Sequence, residues 1–246
     1  MQVAQDSLER LVPAALEESD VTGRDTLEIH LARYEFAARL LRPGRVLDLA
    51  CGVGYGTRLL ADRAGAGADV LGVDVAPEAV AYAESHYAVD GVCYRVGDGM
   101  RFEDAEGFDT IVSLETVEHL PEPREFLAHL VTLLRPGGRL VASVPTTPSV
   151  DLNPHHLHDF SAASFRRMLR ELGLVEIDAL EQNQPVPLLP ILLRRETRLS
   201  DMRASLPSYY LEHPGALWKR VVSTLRYGLA NRYLTVACER AASGSA

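Results

Sequence analysis

Three groups of residues in this chain have types and spacing suited to chemistry. Gly52, Gly54 and Gly56 follow the apolar run Val46-Leu47-Asp48-Leu49-Ala50-Cys51. A turn without Cβ atoms adopts positive φ and lets a ligand press on the N–H groups that open the next helix. A second group consists of acids at the ends of apolar runs: Asp74 after Leu71-Gly72-Val73, Asp98 in Gly97-Asp98-Gly99-Met100, and Glu115 after Ile111-Val112-Ser113-Leu114. A carboxylate about 20 residues beyond a glycine turn accepts both hydroxyls of a ribose and repels a 2′-phosphate. The third group is imidazole-rich, with His119 alone and His155, His156 and His158 in one polar loop. Neutral imidazole near pH 7 can take a proton from a hydroxyl, which is general-base work.

Several readings stay open at this level. Thr57 stands where the dinucleotide pattern puts its third glycine, which disfavours a nicotinamide enzyme without excluding it. The histidines serve as base or substrate-orienting groups, as structural hydrogen-bonders, or as metal ligands with Asp159 as a fourth. Metal binding is the weakest of the three, because adjacent histidines rarely converge on one centre. No metal is expected. Arg33 and Tyr34 read equally well as a ligand pair or as a surface arginine beside a core-edge tyrosine.

Strand and helix must alternate to position these groups. Hydrophobic periodicity predicts strands at 45–50, 69–74, 92–96, 108–114, 138–144 and 174–181, with helices at 56–64, 77–87, 122–134 and 161–172. That alternation implies a parallel sheet layered by helices, with ligands at the carboxyl ends of the strands. Amphipathic helices are expected at 7–18 and from Asp25 to Leu41, joined by a flexible Thr22-Gly23-Arg24. Leu134-Arg135-Pro136-Gly137-Gly138 reads as a turn, and 232–239 as the last strand. Between the last two strands lies a long insertion with the apolar run Leu188, Leu189, Ile191, Leu192 and Leu193, then Arg194 and Arg195. A helix is expected there from Gly215 to Tyr227, striped by Leu217, Val221, Val222 and Leu225.

The ordered set VLDLACGVGYG, LGVDVAP, VGDGM, LETVEHLPEP and LLRPGGRL resembles the class I S-adenosylmethionine-dependent methyltransferases across roughly residues 30–182. The segment from Glu115 to His119 is similar to the small-molecule branch, which includes quinone, sugar and natural-product methyltransferases. The resemblance implies a Rossmann-like α/β three-layer sandwich, its seven-stranded sheet mostly parallel with an antiparallel last strand at the edge. It implies S-adenosylmethionine as cofactor and S-adenosylhomocysteine as product. Gly52 and Gly54 would lie against the methionine part, with Ala50, Asp48, Tyr34 and Glu115 in the same cofactor-binding set. Asp74 would hold the ribose, Val75 would pack on adenine, and Asp98, Gly99 and Met100 would meet the adenine edge. His119, His155, His156 and His158 are the catalytic candidates. The expected organisation is an N-terminal helical cap (1–44), a cofactor-binding core (45–182), an insertion serving as substrate lid or dimer contact (183–231), and a last strand with tail (232–246). Methyl transfer to a small-molecule oxygen is the preferred reaction, ahead of transfer to nitrogen and of nicotinamide-dependent oxidoreduction.

Composition agrees with that reading. The chain has 246 residues, 47% hydrophobic and 24% charged, enough for one sizeable core. A net charge of −9 disfavours nucleic acid as partner. No apolar run is long enough to span a membrane and the start lacks a signal-peptide pattern, so a cytoplasmic location is expected. Cys51, Cys93 and Cys238 lack metal-ligand spacing and cannot all pair.

Overall fold

The computed structural model describes residues 11–16, 21–185, 203 and 205–241. Seven strands form one sheet: β1 (Arg45–Leu49), β2 (Asp69–Asp74), β3 (Val92–Val96), β4 (Phe108–Ser113), β5 (Leu134–Pro145), β6 (Leu174–Pro185) and β7 (Ala230–Arg240). Their order is β3-β2-β1-β4-β5-β7-β6. The β1–β5 pairings are parallel, and β7 runs antiparallel to both β5 and β6. The last strand is therefore inserted one place in from the edge, which corrects the expected edge position. Its centre, Leu234–Cys238, is buried, whereas β6 carries Glu176, Asp178 and Glu181 and stays largely open. Polar side chains suit the strand left with an unpaired side.

Side-chain alternation divides the core into two layers. Leu47, Leu49 and Ile111 meet Phe126, Leu127 and Leu130 of α4 (Pro123–Leu133) and Phe165 and Leu169 of α5 (Ala162–Glu171). On the opposite face Val46, Val70, Val112 and Val141 pack against α1 (Val21–Ala38), α2 (Tyr55–Ala64) and α3 (Pro77–Tyr87). The result is the helix–sheet–helix sandwich that buried, near-continuous apolar strands require. Ser161 fixes the start of α5 through a reciprocal capping bond with Ser164.

Several boundaries differ from expectation. Pro13 interrupts the amphipathic pattern near the start: the described residues there hold only a 3-10 turn at Pro13–Ala15. The rest of that predicted helix, 7–10 and 17–18, lies outside the described residues. The proposed joint Thr22-Gly23-Arg24 is helical, part of α1, and Gly23 is buried; packing overrides glycine's weak helix propensity. Leu134 already pairs with Phe108, so the turn at 134–138 is an irregularity inside β5 rather than a break before it. Extension of β6 and β7 shortens the insertion. Its described part contains α6 (Leu206–Glu212) and α7 (Pro214–Tyr227), while Leu188, Leu189, Ile191, Leu192, Leu193, Arg194 and Arg195 lie outside. The predicted α7 stripe is not a core face: Leu217, Val221, Val222 and Leu225 all remain exposed. No helix among the described residues is long and apolar enough to cross a membrane.

Candidate active site

The strand order reverses between β1 and β4, and in an open α/β sheet the ligand crevice lies outside the carboxyl ends of such strands. Ala50, just past β1, has φ 65° and Glu115, just past β4, has φ 49°; they are the only non-glycine residues of positive φ among those described. Left-handed backbone at two adjacent strand ends is the kind of local strain that collects at ligand sites.

Gly52 and Gly54 also have positive φ. A Cβ on Gly52 would meet no atom within 4 Å, so open space lies directly over its backbone. The Asp74 carboxylate fixes this turn by accepting from the N–H of Gly52 (2.8 Å) and of Ala76 (2.9 Å). Val75 beside it is 69% exposed. Asp98 is exposed and accepts from the Met100 N–H at 3.0 Å, with Gly99 between them.

Asp48 and Tyr34, expected among the cofactor contacts, are bonded to each other within the fold. Both are buried. The Asp48 carboxylate accepts from the Thr57 hydroxyl at 2.6 Å, and the Tyr34 hydroxyl lies 3.3 Å from both of its oxygens. Burial is the main reason the Asp48 carboxyl is pushed up to about 7, and the two hydroxyl bonds only partly offset it. Tyr34 also explains Gly56, since a Cβ there would fall 1.9 Å from its ring. These residues support the glycine turn from below. Thr57 departs from the dinucleotide pattern because its hydroxyl holds Asp48, a role the sequence shows only as a missing glycine.

At the β4 end, Glu115 is bound through Ser143, whose hydroxyl donates to Glu115 Oε1 (2.7 Å) and accepts from the Glu115 N–H (2.9 Å). Arg33 is fully buried, not a surface arginine: its Nε donates to Gln182 Oε1 (2.8 Å), its Nη1 lies 3.4 Å from Glu115 Oε1, and its guanidinium sits 4.3 Å from the Tyr233 ring centroid. Neither Nη1 nor Nη2 has a hydrogen-bond partner among the described residues. Ser143 and Gln182 escaped sequence reasoning, although a serine inside a buried apolar strand was a usable signal.

The four histidines separate. A 3-10 turn at Val117–His119 follows Glu115, and the carbonyl of Glu118 accepts from the N–H groups of Leu157 (2.8 Å) and His158 (3.3 Å), clamping the later loop onto it. His119 and His156 meet edge to face, ring centroids 4.7 Å apart. His119 Nδ1–H donates to the carbonyl of His155 at 3.2 Å, and His156 Nδ1 is 2.7 Å from Ser149 Oγ. His155 is exposed, and His158 Nε2–H donates to the Pro121 carbonyl at 3.2 Å. Glu118, not singled out from sequence, is fully buried beneath this pair, 4.0 Å from His119 Nε2. Burial, and then the Glu115 charge, drive its carboxyl well above the usual range.

The same loop anchors α6 and α7. Asp151, 2% exposed, accepts from Arg220 Nε (2.9 Å) and Nη2 (2.5 Å) and from the Tyr210 hydroxyl (2.7 Å). Between α7, the start of α5 and the ends of β5–β7 lies a cavity of about 710 Å³ whose lining includes Trp218, Lys219, Tyr227, Arg232 and Tyr233.

Residues 47–142 match a family described as a methyltransferase domain. A ubiquinone biosynthesis O-methyltransferase from Xanthomonas axonopodis pv. citri is 33% identical over 165 residues, covering 58% of this chain and 68% of the relative. The chain belongs to the S-adenosylmethionine-dependent methyltransferases. A probable S-adenosylmethionine-dependent methyltransferase from Mycolicibacterium smegmatis is 30% identical over 178 residues, 70% of this chain and 66% of the relative. Among solved structures, a putative methyltransferase from Bacillus halodurans superposes with a TM-score of 0.66 at 16% identity, covering 86% of this chain and 98% of its own. An N-methyltransferase from Bradyrhizobium japonicum, in complex with S-adenosyl-L-homocysteine, superposes at 0.59 and 18% identity, covering 91% and 89%. This methyltransferase uses S-adenosylmethionine, and the open space over Gly52 beside Asp74 fits such a cofactor.

Proposed function

We propose that the enzyme methylates a hydroxyl oxygen of a small molecule of the quinone-precursor, sugar or natural-product kind. One observation carries this reading: the fold brings His119 and His156 into contact beside Glu118, just past the end of β4 and Glu115. An alcohol or phenol must lose its proton as its oxygen attacks, whereas an amine can react as the free base. The O-methyltransferase relative at 33% identity supports the same choice.

S-adenosylmethionine, when bound, supplies an electrophilic methyl group on a sulfonium. Asp74 holds the ribose hydroxyls, using carboxylate lone pairs beyond those given to Gly52 and Ala76. Val75 packs on the adenine face, with Asp98, Gly99 and Met100 at its edge. Ala50, Gly52 and Gly54 let the ligand approach the main chain, and Glu115 with Arg33 bounds the methionine end. His119 and His156 provide the acid–base function for the acceptor hydroxyl, while His155 and His158 shape the loop. Helices α6 and α7, anchored on Asp151, act as a lid that excludes water and holds the acceptor in line, from which most of the rate derives. Trp218, Tyr227 and Tyr233 suit a planar acceptor in the cavity beneath it.

The test is a panel of phenols, catechols, sugars and amines incubated with methyl-labelled donor. Label is expected on hydroxyl oxygen, with loss of transfer in His119→Ala. Transfer to amines alone would overturn the reading.

A further inference from the structure

We propose that Glu118, His119 and His156 form a binding site for one divalent transition-metal ion with zinc-like ligand preference. One ligand atom from each residue lies within 4.8 Å of the others, the only such set among the described residues. Four-coordinate zinc with bonds of about 2.0–2.1 Å holds its ligand atoms roughly 3.3 Å apart, so side-chain rotations closing up to about 1.5 Å complete the site. Two imidazoles and one carboxylate are a ligand set that leaves a position open for water or substrate.

The carboxyl of Glu118 points to an ion most directly. It is fully buried, and neither of its oxygens has a hydrogen-bond partner among the described residues. A group of this kind inside a core calls for a counter-charge. The imidazoles are oriented as ligands usually are: His119 donates its Nδ1–H to a carbonyl, which fixes the tautomer and leaves Nε2 on the side of Glu118, and His156 Nδ1 is held by Ser149. The two bonds from the His155–His158 loop to the Glu118 carbonyl keep the distant ligand in place. Asp159, the fourth ligand considered from sequence, is not in this set; it caps its own loop through the N–H groups of Ser149 (2.9 Å) and Val150 (3.2 Å).

The site deepens the hydroxyl-acceptor reading and rests on it only for the ion's use. An acceptor oxygen in the open position ionises near neutral pH, its proton passing to solvent, as water does on bound zinc. With the ion present, His119 and His156 act through it rather than as bases.

The experiment strips the full-length protein with chelator and titrates it with Co2+, followed by visible d–d absorption and by metal analysis after gel filtration. One ion per chain is expected, with affinity falling by more than about 100-fold in Glu118→Gln and in His156→Ala, beyond the usual loss of a supporting partner. Asp159→Asn should keep the band. Calorimetry with S-adenosylhomocysteine verifies that each variant is folded. No stoichiometric ion in the wild type, or equal binding in the Glu118→Gln and His156→Ala variants, overturns the site. Hydroxyl methylation at full rate by ion-free protein overturns the ion's part in the reaction and leaves the hydroxyl reading intact. A bound ion without hydroxyl transfer defeats that reading and leaves the site.

Discussion

The two ends of the crevice are built differently. On the β1–β2 side the carboxylates bond within the strand ends and the turn between them: Asp48 to Thr57, Asp74 to Gly52 and Ala76. On the β4–β5 side the partners come from far apart, with Arg33 on Glu115, His156 on His119, and Arg220 and Tyr210 on Asp151. The first end is specified locally and suits a ligand shared by a whole family. The second depends on the long loop through Asp151 and His156 and on helices that dock on it, and loops are where specificity is most freely altered.

That contrast can be broken or sharpened by substitution. His119→Ala should lower turnover on a hydroxyl acceptor by about 10²–10⁴-fold with cofactor affinity unchanged, measured at saturating donor; a parallel loss of cofactor affinity would merge the two ends.

Asp48→Asn tests the local end through pH. Because its folded-state carboxyl is raised to about 7, the stability it contributes is fully present below about pH 4 and is lost as pH rises through about 7. A displacement of this size is worth roughly 4 kcal/mol between those limits. Thermal melts should show the asparagine variant gaining on wild type from pH 4 to 7, with a constant gap above that. A gap independent of pH would mean that Asp48 is already ionised.

Asp74→Ala should weaken S-adenosylhomocysteine binding by roughly 100-fold in calorimetry, since bonds to a charged group contribute about 1.5–3 kcal/mol each, with little change in acceptor KM at saturating donor. The smallest effect is expected from Asp151→Ala, which frees α6 and α7: acceptor KM should rise by about tenfold while cofactor affinity holds. An unchanged KM would remove the lid from the acceptor's binding.

Much of the glycine-turn geometry was legible in the residue pattern. Glycines at 52 and 54 take positive φ, and the Asp74 carboxylate reaches the Gly52 N–H. Helix α3 begins and ends at 77 and 87 as expected, because Pro77 and the apolar spacing act within a few residues. Burial was not legible. Asp48, Tyr34 and Arg33 are all buried, because strand alternation and helix packing set which way a side chain faces. Likewise, four histidines looked equivalent in sequence, yet only two converge.

Local chemistry thus determined the glycine turn and the acid at each strand end, since backbone freedom and apolar periodicity operate over a few residues, and the order of the motifs carried the family resemblance. Tertiary structure alone decided that β7 enters between β5 and β6, that Glu118 is sealed beneath His119, and that His156 rather than His155 or His158 meets them. The strand insertion and the His156–His119 contact join segments dozens of residues apart, and the relative placement of such segments is fixed only when the shared core packs.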